Sequence, residues 1–260
     1  MKRLSYYIAI IFCCMLATSC EVDNYDAPDC TIQGVIYDHN GQPLQVNHGA
    51  EYIRMREISW AKGDETVFTG NRRLRVQQDG TYSHTKQFAG EYRMLPSSGN
   101  FFPYWDASDP VKDGDAAGDL VTISGVTTKD FTVTPYLTIE WVKKPTVVAD
   151  NYIECIVRFK RNQKTGYKMP DVRQAEMKIS RTINPNQGNI GELAPSILQL
   201  TNAMEGTDIT FRTAIPVKWT GINYWIRITM NCQAVSGDAD TNYDGVDQPC
   251  CSTIEQIFVP

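Results

Sequence analysis

From residue 30 onward the chain is cut every few residues by Gly, Asp, Asn or Pro, and the runs between cuts alternate apolar with polar. That pattern constrains the fold more than any other feature. A strand needs only about five residues and a period of two, whereas a helix needs a longer stretch with a 3.6-residue repeat. Residues 31–37 alternate and stop at Asp38-His39-Asn40-Gly41, whose Asn-Gly step is a hairpin signal. Further strands are expected over 50–59, 72–77, 81–83, 91–95, 120–124 and 130–134. After Thr134-Pro135 the rhythm restarts, with strands over 136–141, 152–159, 175–181, 208–214, 224–232 and 252–259. Residues 190–204 fit either a short helix or an irregular crossover. The expectation is an all-β chain of two sandwiches, 30–134 and 135–260. Thirteen Tyr, nine Phe and eighteen Gly suit strands and turns.

The segment before residue 30 reads as an address. Lys2 and Arg3 precede an uncharged, mostly apolar run over 6–17, which is too short to span a bilayer and fits a secretory signal. Leu16-Ala17-Thr18-Ser19-Cys20 resembles the lipobox of bacterial lipoproteins. That resemblance implies cleavage after residue 19 and a lipid on Cys20. Residues 20–29 hold Glu21, Asp23, Asp26 and Asp29 without a base, a solvated tether. An acidic stretch behind the lipidated Cys resembles the surface-export signal of Bacteroidota lipoproteins. The expected location is the outer membrane, facing outward, with the lipid as the only membrane contact. A formal charge of −5, lower still once Lys2 and Arg3 leave, argues against nucleic acid as a partner.

Four motifs of the first half carry a further resemblance. Gln33-Gly-Val-Ile-Tyr-Asp38, Gly41-Gln-Pro-Leu44, Asp79-Gly-Thr-Tyr82 and Ala89-Gly-Glu-Tyr92 resemble, in order, the carboxypeptidase-regulatory-like domain. The resemblance implies a prealbumin (transthyretin-like) β-sandwich over 30–134, with an unusual insert between Gly49 and Arg72. The second half is expected to be an immunoglobulin- or fibronectin-like sandwich. Lipobox, prealbumin-like domain and Ig-like domain together resemble a Bacteroidota surface lipoprotein family of unknown function associated with Sus-like polysaccharide-utilisation systems. What this implies is accessory binding of a polysaccharide or oligosaccharide beside a Sus-like transporter and its glycan-binding lipoprotein. The alternative is a structural or adhesin subunit of fimbrillin type.

Sugar rings stack their C–H faces on aromatic side chains and hydrogen-bond through their hydroxyls. Residues 99–106, holding Asn100, Phe101, Phe102, Tyr104, Trp105 and Asp106, are therefore the first candidate site, with Asp109 nearby. The competing reading places those rings in a core or between the domains. Trp225, on the same strand face as Arg227, Thr229 and Asn231, and Trp60 are further candidate platforms. Asp240, Asn242, Asp244 and Val246 match the first half of a calcium loop, although position twelve, counted from Asp240, is Cys251 rather than Glu. A plain polar turn needs the same residue types.

Of eight cysteines, Cys13 and Cys14 leave with the signal and Cys20 takes lipid. Cys155 and Cys232 both fall on core-facing parities and are either a bridge or two buried thiols. No catalytic residues are expected. The three histidines, His39, His48 and His84, lie scattered in the first half, and no GxSxG, HExxH or phosphate-binding loop occurs.

Overall fold

A computed structural model describes residues 27–47, 52–59, 70–104 and 118–260. Among these residues there is no α-helix, and none long and apolar enough to cross a membrane. The all-β expectation holds.

The first half is two facing sheets. In one, β1 (Cys30–Asp38) pairs antiparallel with β4 (Thr81–Gln87) and parallel with two short strands in succession, β7 (Val126–Thr128) and β8 (Phe131–Val133). The other has the order β3-β2-β5-β6, from β2 (Tyr52–Glu57), β3 (Asn71–Arg75), β5 (Gly90–Ser98) and β6 (Asp119–Ile123). Alternation decides what is buried. Ile32 and Ile36 of β1 meet Ile53, Met55, Tyr92 and Met94 in one core, while Gln33, Val35 and Tyr37 face outward.

The glycines of the sequence motifs have separate causes. Gly80 adopts φ +82°, a left-handed turn, and an added Cβ would lie 2.8 Å from the Leu44 carbonyl. At Gly34 the constraint is a close approach. The chain crossing from β7 to β8 passes so near that a Cβ would sit 2.0 Å from the Lys129 carbonyl. Tyr82, opposite Gly34 in register, donates its hydroxyl to that same carbonyl.

The second half repeats the plan. The long strand β9 (Leu137–Val148) pairs with β10 (Tyr152–Arg161), which pairs with β13 (Ile209–Arg212). Facing it, β11 (Asp171–Ser180) and β14 (Ile222–Gln233) form the centre of a five-stranded sheet. The short β12 (Leu198–Gln199) pairs with β11, and β15 (Cys250–Cys251) and β16 (Glu255–Val259) both pair with β14. Ile153, Val157 and Phe159 meet Met177, Tyr224, Ile226 and Met230 in a second core. The ambiguous stretch 190–204 is an irregular crossover carrying β12 and one short 3-10 turn.

Candidate functional site: the seam between the sandwiches

Residues 99–104 run between the two cores. Phe101 bridges to Pro135, the Phe102 amide donates to the Thr134 carbonyl at 2.9 Å, and the Tyr136 amide donates to the Asn100 carbonyl at 3.0 Å. Neighbours on extended chain point opposite ways. Phe101 therefore enters the first core and Phe102 the second. There Phe102 meets Tyr136 edge-on at 4.9 Å and Tyr243 at 5.8 Å. Tyr104 packs against Phe131 and donates its hydroxyl to Asp119 at 3.0 Å. Burial, and then the Asp119 charge, push that hydroxyl well above the usual tyrosine value. Phe101 and Tyr104, expected as sugar platforms, are thus packing residues, because each ring buries more area in a core than an open loop offers. Trp105, Asp106, Asp109, Trp60 and Cys20 lie outside the described residues.

The polar face of β14 is the other half of the seam. Arg227 is fully buried. Its guanidinium donates to the Ser252 carbonyl at 2.9 Å, and across the seam to Val46 O at 2.7 Å, Gln45 Oε1 at 3.0 Å and Gln78 O at 3.1 Å. Trp225 is half-buried on the same strand and does not line the cleft described next.

Beside this clamp a cleft of about 260 Å³ opens where the turn after β1 overhangs the start of β9. Asp38 fixes that turn, accepting from the amides of Asn40 at 2.8 Å and Gln42 at 2.9 Å. Gln42, Gln45 and Asn100 line the cleft from the first sandwich, and Leu137, Thr138, Ile139 and Thr253 from the second. Trp141 follows Leu137 and Ile139 on β9, packs half-buried against the second core and donates its indole N–H to Thr253 Oγ1 at 2.9 Å, but does not itself line the cleft. Among the described residues no cation lines the cleft, and Asp38 is its one carboxylate.

Asn100 is 1% exposed. Its Nδ2 donates to the carbonyls of Gln45 at 3.1 Å and Pro249 at 3.0 Å, yet its Oδ1 has no hydrogen-bond partner. A buried acceptor without a donor costs about 1–3 kcal/mol. That oxygen is also sealed from solvent, so the cost is internal to the seam. Asn100 was legible as a polar candidate in the sequence. Gln42, Thr138 and Thr253 were not, because they meet only when two distant segments pack.

The calcium pattern has another cause here. Asp240 pairs with Lys168 at 2.8 Å, while Asn242 and Asp244 are exposed and Val246 packs into the second core. Gly245, at φ +76°, presses on the seam, where a Cβ would lie 2.5 Å from the Gly99 amide. The Asp-Gly step thus serves a turn with a close approach. Among the described residues no group of three or more His, Cys, Asp or Glu side chains converges on a metal position. Cys155 and Cys232 are buried, unbridged thiols, both pushed up to about 12 by burial, so the bridge alternative is not what the structure shows.

The fold and its seam define a paired β-sandwich protein whose halves share a polar cleft. Residues 30–134 match the family model described as "Protein of unknown function (DUF3823) N-terminal domain". A solved DUF3823 family protein from Bacteroides uniformis ATCC 8492 is similar over 90% of this chain and 100% of its own, with a TM-score of 0.71 at 21% identity. A second structure from the same organism, described as a "putative carbohydrate binding protein", matches 89% of this chain and 100% of its own, with a TM-score of 0.63 at 19% identity. A DUF3823 family protein from Parabacteroides merdae ATCC 43184 gives a TM-score of 0.59 at 17% identity, covering 89% of this chain and 100% of its own. No curated protein matches the chain.

Proposed function

We propose that this chain is a non-catalytic lipoprotein, anchored to the outer membrane through Cys20 and exposed at the cell surface, that binds neutral glycan beside a Sus-like transporter. The observation that carries the reading is an uncharged polar cleft at the seam, where the carboxamides of Gln42 and Gln45 and the hydroxyls of Thr138 and Thr253 stand over an apolar floor of Leu137 and Ile139. Amides and hydroxyls over an apolar floor complement a pyranose ring, and domain interfaces are where such pockets form. At about 260 Å³ the cleft is smaller than the roughly 300–1,000 Å³ of drug-sized sites, which suits one ring. The likeness to a structure described as a "putative carbohydrate binding protein" supports the reading. Hydrolysis of a glycosidic bond needs two carboxyl groups flanking it. Among the described residues the cleft offers only Asp38, whose oxygens are engaged by the turn through Asn40 and Gln42.

A glycan array with the full chain tests this, with Gln42→Ala and Thr253→Ala as cleft variants and Trp105→Ala and Trp225→Ala as comparisons. Binding should fall about tenfold in the cleft variants, a loss of about 1.4 kcal/mol. Absence of binding to any plant or host polysaccharide refutes the proposal. Anchoring is tested separately by palmitate labelling, which Cys20→Ala should abolish, and by protease shaving of intact cells.

A further inference from the structure

The outward face of the first sandwich carries a second depression, an open groove of about 440 Å³ across β4, β1 and β7. Its walls are the side chains that alternation turns away from the core. Gln33 and Tyr37 come from β1, Ser83 from β4 and Thr128 from β7, with Gln77 and Asp130 at the ends. The close approach at Gly34 shapes it. Where the chain crosses from β7 to β8, the Asp130 Oδ1 accepts the Val35 amide at 2.8 Å and takes the place of a ladder bond.

Two properties set the chemistry of an occupant. Among the described residues the lining holds no Lys, Arg or His, and neighbouring Lys129 is turned away to Asp119 at 2.6 Å. An anionic ligand therefore finds no partner there. The polar lining is also unspent, since the carboxamides of Gln33 and Gln77 and the hydroxyls of Tyr37, Ser83 and Thr128 make no hydrogen bond within the described chain. The Tyr37 ring makes no aromatic contact among the described residues. A half-buried ring edged by neutral amides and hydroxyls complements an uncharged polyol face.

Position supplies the third argument. Tyr37 at the end of the groove forms a bridge with Pro43, and Pro43 lines the interdomain cleft. The two depressions thus share the turn that follows β1, which the groove reaches through Tyr37 and the cleft through Asp38 and Pro43. From Gln33 to Tyr37 the groove runs about 13 Å, at roughly 3.3 Å per residue, longer than one sugar ring.

We propose that the groove is the track for the following rings of a neutral saccharide chain whose end ring occupies the cleft. This inference rests on the glycan reading of the cleft and adds a length requirement to it. The test is titration calorimetry of the full chain with neutral gluco-, xylo- and manno-oligosaccharides of graded length, from disaccharide upward. In the wild type, affinity should climb about tenfold or more with length. Tyr37→Ala and, independently, Gln33→Ala should abolish that climb while leaving disaccharide affinity unchanged, and Tyr37→Phe should preserve it. Gln42→Ala should weaken every length alike. If wild-type affinity does not change with length, or if both groove variants keep the climb, the track is refuted and the cleft stands. If no oligosaccharide binds the wild type at any length, the cleft reading falls and the track with it.

Discussion

Replacing Arg227 with Met isolates what holds the two sandwiches together. The guanidinium is fully buried and donates to four oxygens, three of which belong to the first sandwich. It forms no ion pair with a described carboxylate, so its charge is met by neutral dipoles alone. Met keeps most of the volume and removes every donor. The carbonyls of Ser252, Val46 and Gln78 then lose their Arg227 donor, at about 1–3 kcal/mol for each one left unsatisfied. Against this, the variant no longer desolvates a cation, which returns several kcal/mol. The balance is a destabilisation of about 3 kcal/mol, or a fall in Tm of about 6–12 °C for a chain of this size. Calorimetry should show more than the fall. With three of the four bonds crossing the seam, the wild-type transition should split into two as the halves uncouple. Arg227→Lys keeps the charge but cannot reach four acceptors, and should lie between. An Arg227→Met protein that melts once, at or above the wild-type temperature, would mean that desolvation outweighs the bonds, and the clamp argument would be wrong.

Four further outcomes follow from the same structure. Gly34→Ala should destabilise by about 3 kcal/mol or more, since its Cβ would fall 2.0 Å from a backbone carbonyl that cannot swing aside, and urea unfolding measures it. In the Arg227→Met background, Phe102→Ala should cost about 3–5 kcal/mol and lower the melting of the second sandwich more than that of the first, whereas Phe101→Ala should do the reverse. Mass spectrometry after iodoacetamide at pH 8 should find Cys155 and Cys232 unmodified in the native protein and both modified in guanidinium, and a Cys155–Cys232 bridge would contradict the structure. Both thiols ionise near 12 when folded and near the ordinary value of 9 when unfolded. Between those values the native state holds more protons, so stability is fully present below pH 9 and declines as pH rises toward 12.

What the sequence revealed and what it hid divide along a physical line. Strands and turns are local, so Gly80 and the alternation of Ile32 and Ile36 could be read from the chain itself. Val126–Thr128 was missed because a three-residue strand leaves too short a pattern to register. Faces were only half legible. Arg227 shares parity with Trp225, Thr229 and Asn231, a polar face that fits exposure or an interdomain contact, and the first sandwich sits on it. Burial there is decided by segments about 150 to 180 positions away, which no local period reports. The cleft was hidden for the same reason, with Gln42 and Thr253 meeting only through the packing of the two halves.

The adjacency of Phe101 and Phe102 has a consequence for how this protein can change over time. Each ring is assigned to its core by nothing more than odd or even position on extended chain. Deleting or inserting a single residue just before them would exchange their destinations and disturb both interiors at once. A change of two would leave the assignment intact. Variation in length at this junction should therefore accumulate in even steps, as though the connection were spelled in pairs, while the outer turns remain open to changes of any size.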